Sequence, residues 1–181
     1  MNRRAAAVGC LATVAVADKV IFRRRLPWLL VGFFDHPAHV ATAALAALAL
    51  GPRPREWTAG LLVGSLLPDL DHVPLAVSRV HPTLDDPRPV THCLLAVAPV
   101  AVIATLRDDR RLRGAAWGML AHFARDVGVG TGVPLLWPVT RRSFRVPYPV
   151  YAAGCVALAL RAVLGANLQN HAERANLGAG L

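Results

Sequence analysis

Apolar and polar positions along the chain fall into blocks rather than into alternation. Alanine- and leucine-rich runs are separated by proline, glycine and small clusters of charge, and none shows the period of two of a half-buried strand. The pattern predicts an all-α chain with helices over 5–22, 38–50, 57–68, 92–106, 114–126 and 147–164, plus a short apolar piece at 26–34. The breaks fall at Gly51-Pro52, Pro68, Pro74, Pro134, Pro138 and Pro147-Tyr148-Pro149. Two long connections, 69–91 and 127–146, are rich in proline, glycine and polar residues, and loops of that length are usually functional. The polar tail 165–181 is expected to fray. Three parts result: a signal-anchor or first helix with a basic patch at 1–34, a helical core at 35–146, and a C-terminal helix with its tail at 147–181.

Composition gives this pattern a setting. The 181 residues are 55% hydrophobic and only 17% charged, with a mean hydropathy of +0.42. An ordinary soluble domain carries about 25% charged residues, so disorder is excluded and a membrane is indicated. Yet the longest charge-free runs, 89–106 and 36–52, fall short of the ~20 apolar residues of a clean transmembrane helix. Helices of twelve to fifteen residues span only about 18–22 Å. The expectation is a membrane-embedded bundle of about five or six short helices, with the two long loops on one face.

Twenty basic residues against eleven acidic ones leave a formal charge of +9, and every basic residue except Lys19 is arginine. The arginines cluster between apolar runs, at Arg23–Arg25, Arg53 and Arg55, Arg107–Arg113, and Arg141–Arg145. That distribution suits loops against anionic lipid headgroups, and membrane lipids rather than nucleic acid are the expected partner. The short loops 51–56 and 107–113 favour a cytoplasmic location for their own face, while Arg23–Arg25, Arg141, Arg142 and Arg145 pull the other way. At the N-terminus, Arg3 and Arg4 precede an apolar run ending Ala15-Val16-Ala17, the layout of a signal peptide. Lys19 and Arg23–Arg25 follow at once, which fits an uncleaved anchor equally well. Cys10, Cys93 and Cys155 show no ligand spacing, and no disulfide framework is expected.

Traced as successive crossings between two faces, the helices gather their ionisable groups at one end. His39 opens one helix, Asp69, Asp71 and His72 close the next, Thr91 and His92 open the third, and His122 and Asp126 close the fourth. His122 and Asp126 are four residues apart and share a helix face. Imidazole plus carboxylate without thiolate pairs suits zinc first, then manganese or iron, as one or two ions. Each residue also has a plainer reading. His39 can be a polar residue at a helix start, Asp69 and Asp71 turn formers, His122 with Asp126 a hydrogen-bonded pair, and Thr91 an N-cap. His36, His81 and His171 read as surface histidines, and Arg125 as a solvated or headgroup-facing charge. Jointly, ionisable groups at one end of an apolar bundle are expensive, and a functional site is the better default.

At these residues the chain resembles the YdjM-type membrane-bound metal-dependent hydrolases of bacteria. Gly64-Ser65-Leu66-Leu67-Pro68-Asp69-Leu70-Asp71-His72 is similar to the family's G-x-x-x-PD-x-DH segment. Arg88-Pro89-Val90-Thr91-His92-Cys93 resembles its HRG-x-THS segment, and His122 to Asp126 with Thr131 to Pro138 echo its SH-x-x-x-D and T-x-x-GV-x-LL-x-P segments. His39 matches the family's early histidine. The resemblance covers about residues 35–145. Four positions depart from it: Pro87 replaces the first histidine of HRG, Pro89 its glycine, Cys93 the following serine, and Ala38 the threonine before the early histidine. Asp86 or His81 stands in the same loop as a substitute for that histidine.

The resemblance implies a metal-dependent hydrolase of the inner membrane. Combined with the residue pattern, it makes Asp69, Asp71, His92, His122 and Asp126 the expected metal shell, with His39 and His72 as further ligands or bases. His92, Asp71 and Arg88 are the candidate catalytic groups, Arg88 facing an anionic substrate group. Gly130, Thr131 and Gly132 are expected to offer backbone N–H groups. Location favours an ester or phosphoester of a lipid or lipid-linked substrate. The competing reading is a non-catalytic membrane module that its ions or ion pairs hold together, and a third is an ion conductor.

Overall fold

The computed structural model describes residues 2–23, 26–72, 88, 89 and 91–178, and these form an all-helical chain. The order is α1 (Arg3–Arg23), α2 (Trp28–Leu50), α3 (Arg55–Gly64), a 3-10 turn (Pro68–Asp71), α4 (Leu94–Leu106), α5 (Arg110–Gly128) and α6 (Tyr148–Gly178). An isolated antiparallel bridge joins Val133 to Phe144 in the α5–α6 connection.

Local chemistry sets the ends. Gly51 stops α2 at φ +92°, a backbone state that favours glycine, and Pro52 follows. Glu56 stands in the first turn of α3, where a carboxylate meets the positive end of the helix. Asp109 caps α5, its Oδ1 accepting from the backbone N–H groups of Arg111 and Leu112 at 2.7 and 3.2 Å.

The helices differ from expectation in length. The apolar piece at 26–34 and the helix at 38–50 are one helix, α2, which runs through Pro37. Proline deletes one backbone donor, a loss tolerated in apolar helices whose neighbours re-satisfy the freed group. His39 therefore lies near the middle of a helix rather than at its start. The α6 helix continues to Gly178 instead of fraying after 164, and α5 begins at Arg110. The expected bundle of about five or six helices is present, and three of its helices run longer than the sequence pattern indicated. Arg3–Phe22, Leu30–Leu50 and Tyr148–Asn167 are long and apolar enough to cross a membrane. Asp18, Asp35 and His39 interrupt the first two in sequence, but all three are buried inside the protein.

Two packing units meet along α2 and α5. In the first, α1, α2 and α6 pack through small side chains, with Ala7, Val14, Ala41, Leu45, Cys155 and Ala159 at the centre. In the second, α3 and α4 both lie against α5, and Val97, Ala116, Met119 and Phe123 fill the α4–α5 contact. The ionisable residues collect where the two units join. Cys10, Cys93 and Cys155 are free thiols.

Candidate metal centre

Four separate pieces of chain deliver the cluster. α2 supplies Asp35 and His39, the 3-10 turn supplies Asp69 and Asp71 with His72 just after it, the approach to α4 supplies His92, and α5 supplies His122 and Asp126. His39, His92 and His122 are fully buried and Asp126 nearly so. Nε2 of His122 stands 3.0 Å from Asp126 Oδ2 and 3.5 Å from Asp69 Oδ1. Nε2 of His92 lies 3.6 Å from each of those two carboxylates. On the α2 side, His39 Nε2 is 3.7 Å from Asp126 Oδ1 and 3.5 Å from Asp35 Oδ2. At the outer edge, His92 Nδ1 is 3.1 Å from Asp71, which also accepts from the Thr91 hydroxyl, and His72 Nδ1 is 2.8 Å from Asp71. His36, half exposed, reaches Asp69 at 3.3 Å.

Close backbone contact makes the α5 side of the cage possible. Gly60 and Gly64 on α3 face Gly114 and Gly118 on α5. A Cβ on any of the four would lie 2.0–2.2 Å from a backbone carbonyl of the other helix. Paired glycines four residues apart allow helices this close. The carbonyl of Ser65, just past α3, thereby meets His122 Nδ1 at 2.8 Å. A carbonyl only accepts, so Nδ1 carries the proton and Nε2 offers its lone pair to the cage. His39 stacks on His122, with ring centroids 3.8 Å apart and 9° between the planes.

These residues could hold a shared cation. Both ring nitrogens of His39, Nε2 of His92 and of His122, and Oδ2 of Asp126 are buried without a hydrogen-bond partner. Buried polar atoms are rarely left so. Ligands about 2.1 Å from one ion stand about 3.0 Å apart in an octahedron and about 3.4 Å in a tetrahedron. The 3.0–3.7 Å separations across the cage match that spacing. Four overlapping sets could each hold an ion: His39–Asp69–His122, Asp69–His72–His92, His92–His122–Asp126 and Asp35–His39–Asp126.

The charge states follow from the same contacts. Burial works against ionisation of Asp69, but His36 and His92 hold its carboxyl well below the usual range. Asp71 is likewise held down, against its burial, by His72 and His92, and Asp126 by Arg88 and His122. Burial opposes a charge on His92, yet the Asp69 and Asp71 carboxylates push its pKa up to about 9. Arg88 is held cationic, against its own burial, by Asp126, which its Nη2 meets at 2.9 Å.

The structure brings together all seven expected ligands, His39, Asp69, Asp71, His72, His92, His122 and Asp126, and sets Arg88 against them. It corrects one expectation outright. Arg125 is neither solvated nor at a headgroup surface but fully buried, in contact with Asp35 and Asp18. His36 is exposed as expected, yet it belongs to the rim of the cluster through Asp69. Sequence reasoning missed Asp35, whose i, i+4 spacing to His39 was the available signal, and the paired glycines, whose spacing is visible in both helices. Gly130 and Gly132 adopt φ of +79° and +83°. His81, Asp86 and Pro87 lie outside the described residues, as does the side chain of His171.

No match was found among the curated proteins or the solved structures. A family model described as YdjM inner membrane protein matches residues 33–180, beginning just before Asp35 and continuing through α6. The three blocks of resemblance and the cluster they form lie inside that span, and the chain belongs to the YdjM inner membrane protein family.

Proposed function

We propose that this protein is a multi-pass, metal-dependent hydrolase of the bacterial inner membrane, acting on an ester or phosphoester of a lipid or lipid-linked substrate. One observation carries the reading: buried imidazole and carboxylate atoms converge at ion-ligand spacing while lacking hydrogen-bond partners. Asp69, His92, His122 and Asp126 would hold the first ion, with His39, Asp71 and His72 at its edges. The donor set lacks thiolate, which favours zinc, then manganese or iron. One or two divalent cations held by these residues would supply Lewis acidity for hydrolysis.

The chain's own residues divide the remaining work. Asp71, in contact with His92 Nδ1 and less buried than the inner ligands, pairs with that imidazole to take up and pass a proton. Arg88 offers a cation to an anionic substrate group. His39 is nine residues from Leu30, about 14 Å along the axis of α2.

Metal analysis of detergent-purified protein tests the reading. Stoichiometric zinc, manganese or iron is expected, lost in an Asp69→Ala, His122→Ala double variant that retains its helix content. Metal-free wild-type protein that also takes up none on titration would reject it. A second reading, a non-catalytic module held together by ions and ion pairs, draws on the Arg88 guanidinium, which is already bonded to Asp126. It predicts that the double variant loses its fold rather than its hydrolysis.

A further inference from the structure

α1 begins and ends ahead of the family match at 33–180, yet it carries a carboxylate deep in the protein. Asp18 is 1% exposed, on a helix long and apolar enough to span a membrane. A carboxylate there needs a partner, and its Oδ1 lies 2.8 Å from Arg125 Nη2. The same guanidinium reaches Asp35 Oδ1 from Nε at 3.0 Å and from Nη2 at 2.7 Å, and the Tyr151 hydroxyl from Nη1 at 3.1 Å. Tyr148 donates to the other oxygen of Asp18 at 2.9 Å. The Tyr151 hydroxyl is 2.7 Å from that of Thr42, which donates to the Ala38 carbonyl. One fully buried guanidinium thus ties α5 to α1, α2 and α6.

The tie ends at the cage. Arg125 neighbours Asp126 in sequence, and Asp35 stands one turn before His39. Asp35 gives Oδ1 to Arg125 and turns Oδ2 toward His39 Nε2 at 3.5 Å. The guanidinium therefore sets the rotation of the very carboxylate that faces the imidazole. All three of its nitrogens are engaged at once, a geometry that a lysine ammonium cannot reproduce.

We propose that Arg125 is a positioning residue for the metal centre: braced by Asp18 of α1, it fixes the Asp35 carboxylate, which fixes the His39 imidazole in the cage. The role assigned toward the metal rests on the metal-binding reading above. It makes α1 a working part of a centre whose ligands all come from elsewhere in the chain.

The test uses full-length protein in detergent micelles, with the variants Asp18→Asn and Arg125→Lys, neither of which replaces a residue touching His39. Cobalt(II) is titrated in and its visible absorption bands recorded. The imidazole nitrogen resonances of His39 are compared in the metal-free proteins, and helix content is checked throughout. For Arg125→Lys, an affinity loss of about 10–100-fold, the usual range for partners behind a ligand, is expected with altered bands and shifted His39 resonances. Asp18→Asn should move the same quantities in the same direction, but less. Wild-type affinity, bands and resonances in both folded variants would overturn the proposal, and so would loss of helix content in both, which assigns the cluster to folding alone. If wild-type protein binds no cobalt while the His39 resonances still shift in the variants, the metal reading fails and the positioning of His39 by Arg125 stands.

Discussion

His122 donates from Nδ1 to the backbone carbonyl of Ser65 at 2.8 Å, and that bond decides which ring nitrogen faces the cage. Ser65 is held there by the contact between α3 and α5, where a Cβ at Gly118 would lie 2.1 Å from the Leu61 carbonyl. The ligand orientation thus depends on four glycines, none of which touches the cage through a side chain.

Gly118→Ala is expected to damage the centre from a distance. The added methyl meets backbone on the facing helix, which cannot turn aside as a flexible side chain can, so α3 must move away and carry Ser65 with it. Overpacking of this kind costs about 1–3 kcal/mol. The expected result is a lower melting temperature in detergent, together with weaker metal binding through a misdirected His122. A glycine on the open side of α6, Gly154, has nothing within 4 Å of an added Cβ and serves as the control. Equal behaviour of Gly118→Ala and Gly154→Ala would remove the link between helix contact and ligand geometry.

What could be read from sequence and what could not separates along physical lines. His122 with Asp126, and Asp69 with Asp71 and His72, are local patterns, since helical spacing and a turn after proline place neighbours together. The antiparallel run of helices then brought His92 to them. Asp18 gave no such local signal and Asp35 only its i, i+4 spacing to His39, because their partner Arg125 is 107 and 90 residues away. In a hydropathy profile they only shorten the apolar runs, which is why α1 and α2 fell below the length of a span. The piece at 26–34 and the helix at 38–50 read as separate in the sequence, whereas the packing that carries α2 through Pro37 is tertiary.

Metal binding should strengthen as pH rises. Asp69 and Asp126 are held ionised, so neither takes up a proton in the neutral range. His92 is different: with its pKa pushed up to about 9 in the metal-free protein, it is protonated at neutral pH, and a ligand nitrogen must be free. One proton therefore leaves on binding below about pH 9, and apparent affinity should rise about tenfold per pH unit between about pH 6 and 9, then level off. The stability of the metal-free protein runs the other way. A histidine raised above its unfolded value of about 6.5 contributes fully below that pH, and the contribution is lost as pH rises through about 9. Calorimetric titrations in buffers of different ionisation heat count the proton directly. An affinity independent of pH across that window would show that His92 is not displaced from its carboxylates.

Removing Arg88 should affect binding and turnover in opposite directions. Its Nη2 lies 2.9 Å from Asp126 Oδ1, so a fixed positive charge competes with any cation for that carboxylate. Arg88→Met removes the competitor, and at the separations of this cage the relief should tighten metal binding by about tenfold. The same change removes the cation offered to an anionic substrate group, so hydrolysis of an anionic lipid ester should fall while that of a neutral one falls less. Arg88→Lys, which keeps the charge but not the planar fork, should leave metal affinity near wild type and recover only part of the turnover. Parallel metal titrations and lipid hydrolysis assays on the two variants separate these effects. Loss of metal in Arg88→Met would mean instead that the guanidinium holds Asp126 in place. The non-catalytic reading would then gain over the hydrolase.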